Sequence, residues 1–182
     1  MALTHQDDRL NILGSIADYI RDHAFYDPSG NLTSISGRYP SMHVALGYPE
    51  DLTKIRNKLP YLALEMGASR PRATVTWERS EKQIQVIVYG FVGGLEGGRA
   101  NQKQQLQLLN DLENIFDEAK GGQNVVDLYD YSSGSENNRT LLDSLRISDV
   151  EGRPIHAGAD DTLDVSRYRF QISMTVGLWK SQ

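Results

Sequence analysis

The sequence predicts a single α+β domain over residues 1–182, with a mainly antiparallel sheet and helices packed on one face of it. Two stretches carry apolar residues at three- and four-residue steps, which is typical of helices, and several others alternate apolar with polar residues, which is typical of strands. The strands and helices do not alternate regularly along the chain, which argues against a doubly wound parallel sheet. With 182 residues, 39% of them hydrophobic, the chain is long enough to bury a substantial core.

The first third of the chain begins with an amphipathic helix, predicted over Asp7–His23. Residues 27–37 are rich in turn formers and predict a loop, and residues 38–46 predict a short strand that ends before Gly47. A helical turn is expected within residues 50–58. A short strand follows at residues 61–66.

The middle of the chain predicts a hairpin. Ala73, Val75 and Trp77 alternate with polar residues, and Ser80–Lys82 supplies a turn. The second arm, Ile84–Val92, is apolar on both faces, so we expect it to be a central strand.

The second half begins with the strongest helix, predicted over Ala100–Lys120 and ended by Gly121 and Gly122. Short elements are expected at residues 125–131 and 141–147, with a polar loop near residues 132–139 between them. The helix is expected to line the core with Leu106, Leu109, Leu112 or Glu113, and Phe116.

The last strand, from Tyr168, shows the most regular alternation in the sequence. Its apolar positions are Phe170, Ile172, Met174, Val176 and Leu178. We expect Phe170, Ile172 and Met174 to point inward beside Val86 and Val88, under the residues of the second helix.

Composition excludes several classes of function. The net charge of -5, with a sequence pI near 5.3 and no basic stretch, does not favour binding to nucleic acid. The absence of cysteine excludes disulfides, thiolate metal sites and cysteine nucleophiles. No apolar run approaches the roughly 18 residues of a membrane span, and the N-terminal MALTHQDDRL lacks an apolar signal core, so we expect a soluble, unprocessed protein without membrane contact.

A glycine-rich segment lies between the central strand and the second helix, where a phosphate-binding loop would lie. It has neither the Lys-Ser/Thr pair of a P-loop nor the spacing of a dinucleotide fingerprint, so a loop that contacts a neighbouring subunit is the favoured interpretation. Nucleotide or other anion binding remains the alternative. The predicted assembly loop consists of Gly93, Gly94, Leu95, Glu96, Gly97, Gly98 and Arg99.

No other constellation indicates catalysis, a metal or a cofactor. The four histidines, His5, His23, His43 and His156, stand on unrelated elements without ligand spacing. The carboxylates Asp127, Asp130, Asp160, Asp161 and Asp164 do not follow a calcium-loop pattern. Ser135 lies outside any nucleophile elbow, and Tyr26, Tyr39, Tyr129 and Tyr131 lack the interleaved basic residues of a base-stacking surface. We therefore predict a protein that is not an enzyme.

The order of the elements resembles that of the tail terminator proteins of long-tailed bacteriophages. The resemblance is carried by the N-terminal amphipathic helix, the Tyr39-Pro40 segment, the strand VIVYGFVGG, the helix NQKQQLQLLNDLENIFDEA and the closing strand RYRFQISMTVGLW. It extends over most of the chain by layout and length, without one diagnostic motif.

The resemblance implies an α+β subunit without catalytic residues or cofactors that forms a ring, expected to be a hexamer. Such a ring caps the last ring of tail-tube protein, ends tube polymerisation and joins the tail to the neck or head-completion proteins. The expected location is the virion, after synthesis in the host cytoplasm, with DNA passing through an acidic lumen that repels phosphate. The alternatives are another head-tail connector or tail-completion protein, and a small ligand-binding domain that uses the glycine-rich loop.

Overall fold

A computed structural model describes residues 5–71, 79–93, 99–116, 125–131, 139–156 and 168–181. The elements follow the chain in this order: α1 (His5–Asp22), β1 (Ala24–Tyr26), β2 (Leu32–Ser34), α2 (Ile35–Arg38), β3 (His43–Leu46), a 3₁₀ helix (Leu52–Lys58), β4 (Tyr61–Pro71), β5 (Arg79–Phe91), α3 (Arg99–Phe116), β6 (Val125–Tyr129), β7 (Leu141–His156) and β8 (Tyr168–Ser181).

Six strands form one sheet in the order β3-β4-β5-β8-β7-β6, and β1 and β2 form a separate two-stranded hairpin. The β3-β4 pair is parallel and every other pair is antiparallel. The sheet curls around α1, which contacts β6 on one side and β3 and β4 on the other. The α+β class with a mainly antiparallel sheet is confirmed.

The main core lies between the sheet and the helices α1 and α3. The closing strand β8 is aligned with β5 so that Met174 opposes Val86 and Ile172 opposes Val88, and all four side chains are buried. Leu109, Leu112 and Phe116 of α3 belong to the same buried cluster. The predicted facing of β8 is therefore confirmed, because its alternation places one complete set of apolar side chains under the helices.

The central strand β5 also buries a side chain on its other face. Phe91 packs there with Ala63 of β4 and Ile55 of the 3₁₀ helix, forming a second, smaller cluster. A strand with apolar residues on both faces is central, as predicted, and it lies third in the six-stranded order.

Helix α1 covers one edge of the sheet with polar groups. Ser15 Oγ accepts a hydrogen bond of 2.9 Å from the backbone N–H of Tyr129, and Asn11 Oδ1 accepts one of 2.8 Å from that of Tyr131. Both helix residues are buried although they are polar. These polar residues are buried because the N–H groups of Tyr129, at the end of the edge strand β6, and of Tyr131, just after it, need acceptors.

Two predictions in the first half and middle of the chain are wrong in part. Residues 35–38 form α2 instead of a loop and the start of a strand, because Ser34 Oγ accepts a hydrogen bond from the Gly37 N–H and caps the helix. Ser80–Lys82 is not a turn but part of β5, where it pairs with residues 178–180 of β8. The alternating residues 73–77 lie outside the described residues.

The second half also differs from expectation in two places. The short element predicted at residues 141–147 extends to His156, because an irregularity between Ser148 and Glu151, with Asp149 at φ 52°, shifts the alternation and hides the rest of the strand. The prediction that Leu106 faces the core is wrong, since Leu106 is exposed while Gln105 and Leu108 are buried. Gly121, Gly122 and the polar segment 132–138 lie outside the described residues.

Candidate assembly surfaces

The predicted assembly loop is described only at its two ends. Gly93 follows β5 directly and is half-buried, and Arg99 is the first residue of α3. The Val92 N–H donates a 2.7 Å hydrogen bond to the Tyr168 carbonyl, which fixes the start of the loop against β8. Gly94, Leu95, Glu96, Gly97 and Gly98 lie outside the described residues, so the assignment of the loop as an interface stays a prediction.

The β1-β2 hairpin presents two large apolar side chains to solvent. Tyr26 is 69% exposed and Leu32 is 64% exposed, the highest values among the large hydrophobic residues that the structure describes. They are direct partners in the antiparallel register, so both side chains project from the same face of the hairpin. Phe25 projects from the opposite face into the main core.

The turn of this hairpin is held by one carboxylate. Asp27 Oδ1 accepts hydrogen bonds of 2.9 Å from the backbone N–H groups of Ser29 and Asn31, and Gly30 takes a positive φ of 80° that a residue with a side chain rarely adopts. These backbone hydrogen bonds lower the pKa of the Asp27 carboxyl. The exposed pair of side chains is therefore carried on a preorganised turn.

A partly buried polar network ties the hairpin to α3. Arg38 Nη1 lies 3.5 Å from Asp27 Oδ2, and Arg38 Nε lies 2.9 Å from Asp111 Oδ2. The Tyr39 hydroxyl donates a 2.8 Å hydrogen bond to the same Asp111 oxygen. Asp111 is 1% exposed, and its burial raises the pKa of its carboxyl. Burial and the hydrogen bond to Asp111 raise the pKa of Tyr39. Because Arg38 pairs with both Asp27 and Asp111, the network holds the hairpin turn against α3.

Asp111 also borders a cleft of about 610 Å³ beside the hairpin. The polar side chains that line it include Gln107, Asn110, Glu113 and Asn114 of α3. Among the described residues, no group of histidine, aspartate or glutamate side chains is arranged to hold a metal ion.

The outward face of α3 forms a second distinctive surface, which we call the α3 depression. Leu106, 43% exposed, lies in this shallow and open depression of about 700 Å³. Its lining residues are Ala100, Gln102, Lys103, Leu106, Gln107 and Asn110. The depression begins one residue after the predicted assembly loop.

Three further apolar side chains on the paired strands β6 and β7 are exposed: Val125, Leu141 and Leu142, of which Leu141 is 57% exposed. They do not form one patch, because Val125 lies opposite Arg146 whereas Leu141 lies opposite Tyr129, at the other end of the pair. Asp127 and Asp143 of the same strands are exposed as well.

Three of the tyrosines considered in the sequence have different surroundings in the structure. Tyr39 and Tyr131 are structural: the Tyr131 hydroxyl donates to Asp18, and Arg139 binds the same carboxylate while its guanidinium carbon lies 3.9 Å from the centre of the Tyr131 ring. Tyr26, in contrast, lies outside the core. Sequence reasoning assigned residues 27–37 to a loop and did not identify the hairpin, whose only signal was a tyrosine and a leucine on either side of a strong turn.

No protein-family model matches the sequence, and no curated protein matches it. None of the described helices is long and apolar enough to cross a membrane.

Proposed function

We propose that this chain is a structural subunit of a phage tail, a tail terminator that forms a ring on the end of the tail tube, stops tube growth and joins the tail to the head or neck. The observation that carries the proposal is the preorganised hairpin that displays Tyr26 and Leu32. The resemblance in element order along the sequence supplies the particular class of assembly.

An exposed apolar pair on a rigid support is typical of an interaction site. Leaving large apolar side chains in water forgoes about 25 cal/mol for each Å² that could be buried, and tyrosine is enriched among the residues that dominate binding energies. Two hydrogen bonds to Asp27 and the Arg38 bridge to Asp111 hold the pair in place before any partner arrives. Preorganisation of this kind reduces the entropy lost on association.

The net charge of -5 is consistent with a ring through which DNA passes. A lumen of the same sign as the phosphates lets a duplex slide, because it offers no cation for the backbone to bind. In this proposal the neighbours are a second copy of the chain, the tail-tube protein and a neck or head-completion protein. The chain is located in the virion and made in the host cytoplasm.

The experiment is a tube-growth assay with tail-tube protein from the same virus. Purified chain added to growing tubes is expected to shorten them in proportion to its concentration and to be found at one end by electron microscopy. A Tyr26→Ser/Leu32→Ser variant, which is expected to keep the melting temperature of the parent chain, removes the exposed pair. This variant is expected to leave tube length unaltered. Binding to neck protein alone, with no effect on tubes, would instead indicate a different connector, and a thermal shift with nucleotide or acyl-CoA would indicate the ligand-binding alternative.

A further inference from the structure

We draw no further inference here: the strongest candidate, the cleft between the hairpin turn, α3 and β7 that Asp111, Glu113 and Asp149 border, carries nothing because it is a group of carboxylates and amides and no second feature of the described residues points to a ligand.

Discussion

Gly90→Ala is the substitution that tests the packing of the sheet most severely. Gly90 opposes Phe170 in the β5-β8 register, and both are buried. A Cβ at position 90 would lie 2.0 Å from Phe170 Cζ, 2.2 Å from Cε1 and 2.5 Å from Cε2. Carbon atoms pack best at about 3.5 Å or more, so the ring would have to move by roughly 1.5 Å.

The size of the effect follows from where the ring would have to go. Phe170 lies in the main core, and overpacking of a well-packed core costs about 1–3 kcal/mol and sometimes more. Because the atom in conflict belongs to a fully buried ring, we expect a loss near the top of that range, about 3 kcal/mol. Urea denaturation followed by far-ultraviolet circular dichroism measures it as a lower midpoint at unchanged slope.

Two further variants make the result interpretable. Gly67→Ala, on the neighbouring strand β4, brings its Cβ within 2.9 Å of the flexible end of the Gln85 side chain, so it is expected to cost less than about 1 kcal/mol. Phe170→Leu combined with Gly90→Ala is expected to be more stable than the sum of the two single effects predicts, because the smaller side chain makes room. An unchanged midpoint for Gly90→Ala would show that the Phe170 ring does not lie over this glycine.

Three other predictions concern stability. Ile172→Ala is expected to lower the free energy of unfolding by roughly 2–5 kcal/mol, and an unaltered denaturation midpoint would mean that β8 faces the other way. Ser15→Ala removes the acceptor of the Tyr129 N–H and is expected to cost about 1 kcal/mol by the same measurement, whereas no loss would indicate that another group replaces it. Burial raises the pKa of the Asp111 carboxyl, so folding favours its protonated form. The stability that this preference contributes is fully present at pH values below the ordinary aspartate pKa of 3.8, and it is lost as the pH rises through the pKa of the folded state. The unfolding free energy of the parent chain, measured relative to Asp111→Asn, is therefore expected to fall as the pH rises from about 4, and a rise in this difference would contradict the assignment.

The elements with complete periodic patterns could be predicted from sequence. The closing strand carries five apolar residues at alternate positions, and the structure buries all five. Apolar residues on both faces of β5 predict a central strand, and β5 lies third of six. Such patterns are reliable since a shift by one residue would expose an entire buried set.

Other elements cannot be predicted from the sequence because they leave no regular pattern of apolar residues. The strands β1 and β2 have three residues each, too few to show a period. Strand β7 passes through an irregularity at Asp149 that reverses its alternation. The parallel pairing of β3 with β4 depends on a connection through the 3₁₀ helix and leaves no local signal.

The candidate surfaces were hidden for a related reason. Leu106 fits the apolar spacing of α3, and only the position of the helix on the sheet shows that Gln105, with a hydrogen bond to the Arg169 carbonyl, takes the inward place. Exposure of Tyr26 and Leu32 likewise depends on the tertiary structure, because the same residue types elsewhere in the chain are buried. A sequence records which residues are apolar, but the fold decides which of them remain in water.

The most direct test of the central claim is the native mass of the purified chain, measured with and without tail-tube protein. A closed ring predicts one species at a whole multiple of the 20.4 kDa chain mass, with six copies expected, and its loss in the Tyr26→Ser/Leu32→Ser variant. A single chain mass under both conditions, or an open series of masses that grows with concentration, would contradict the account.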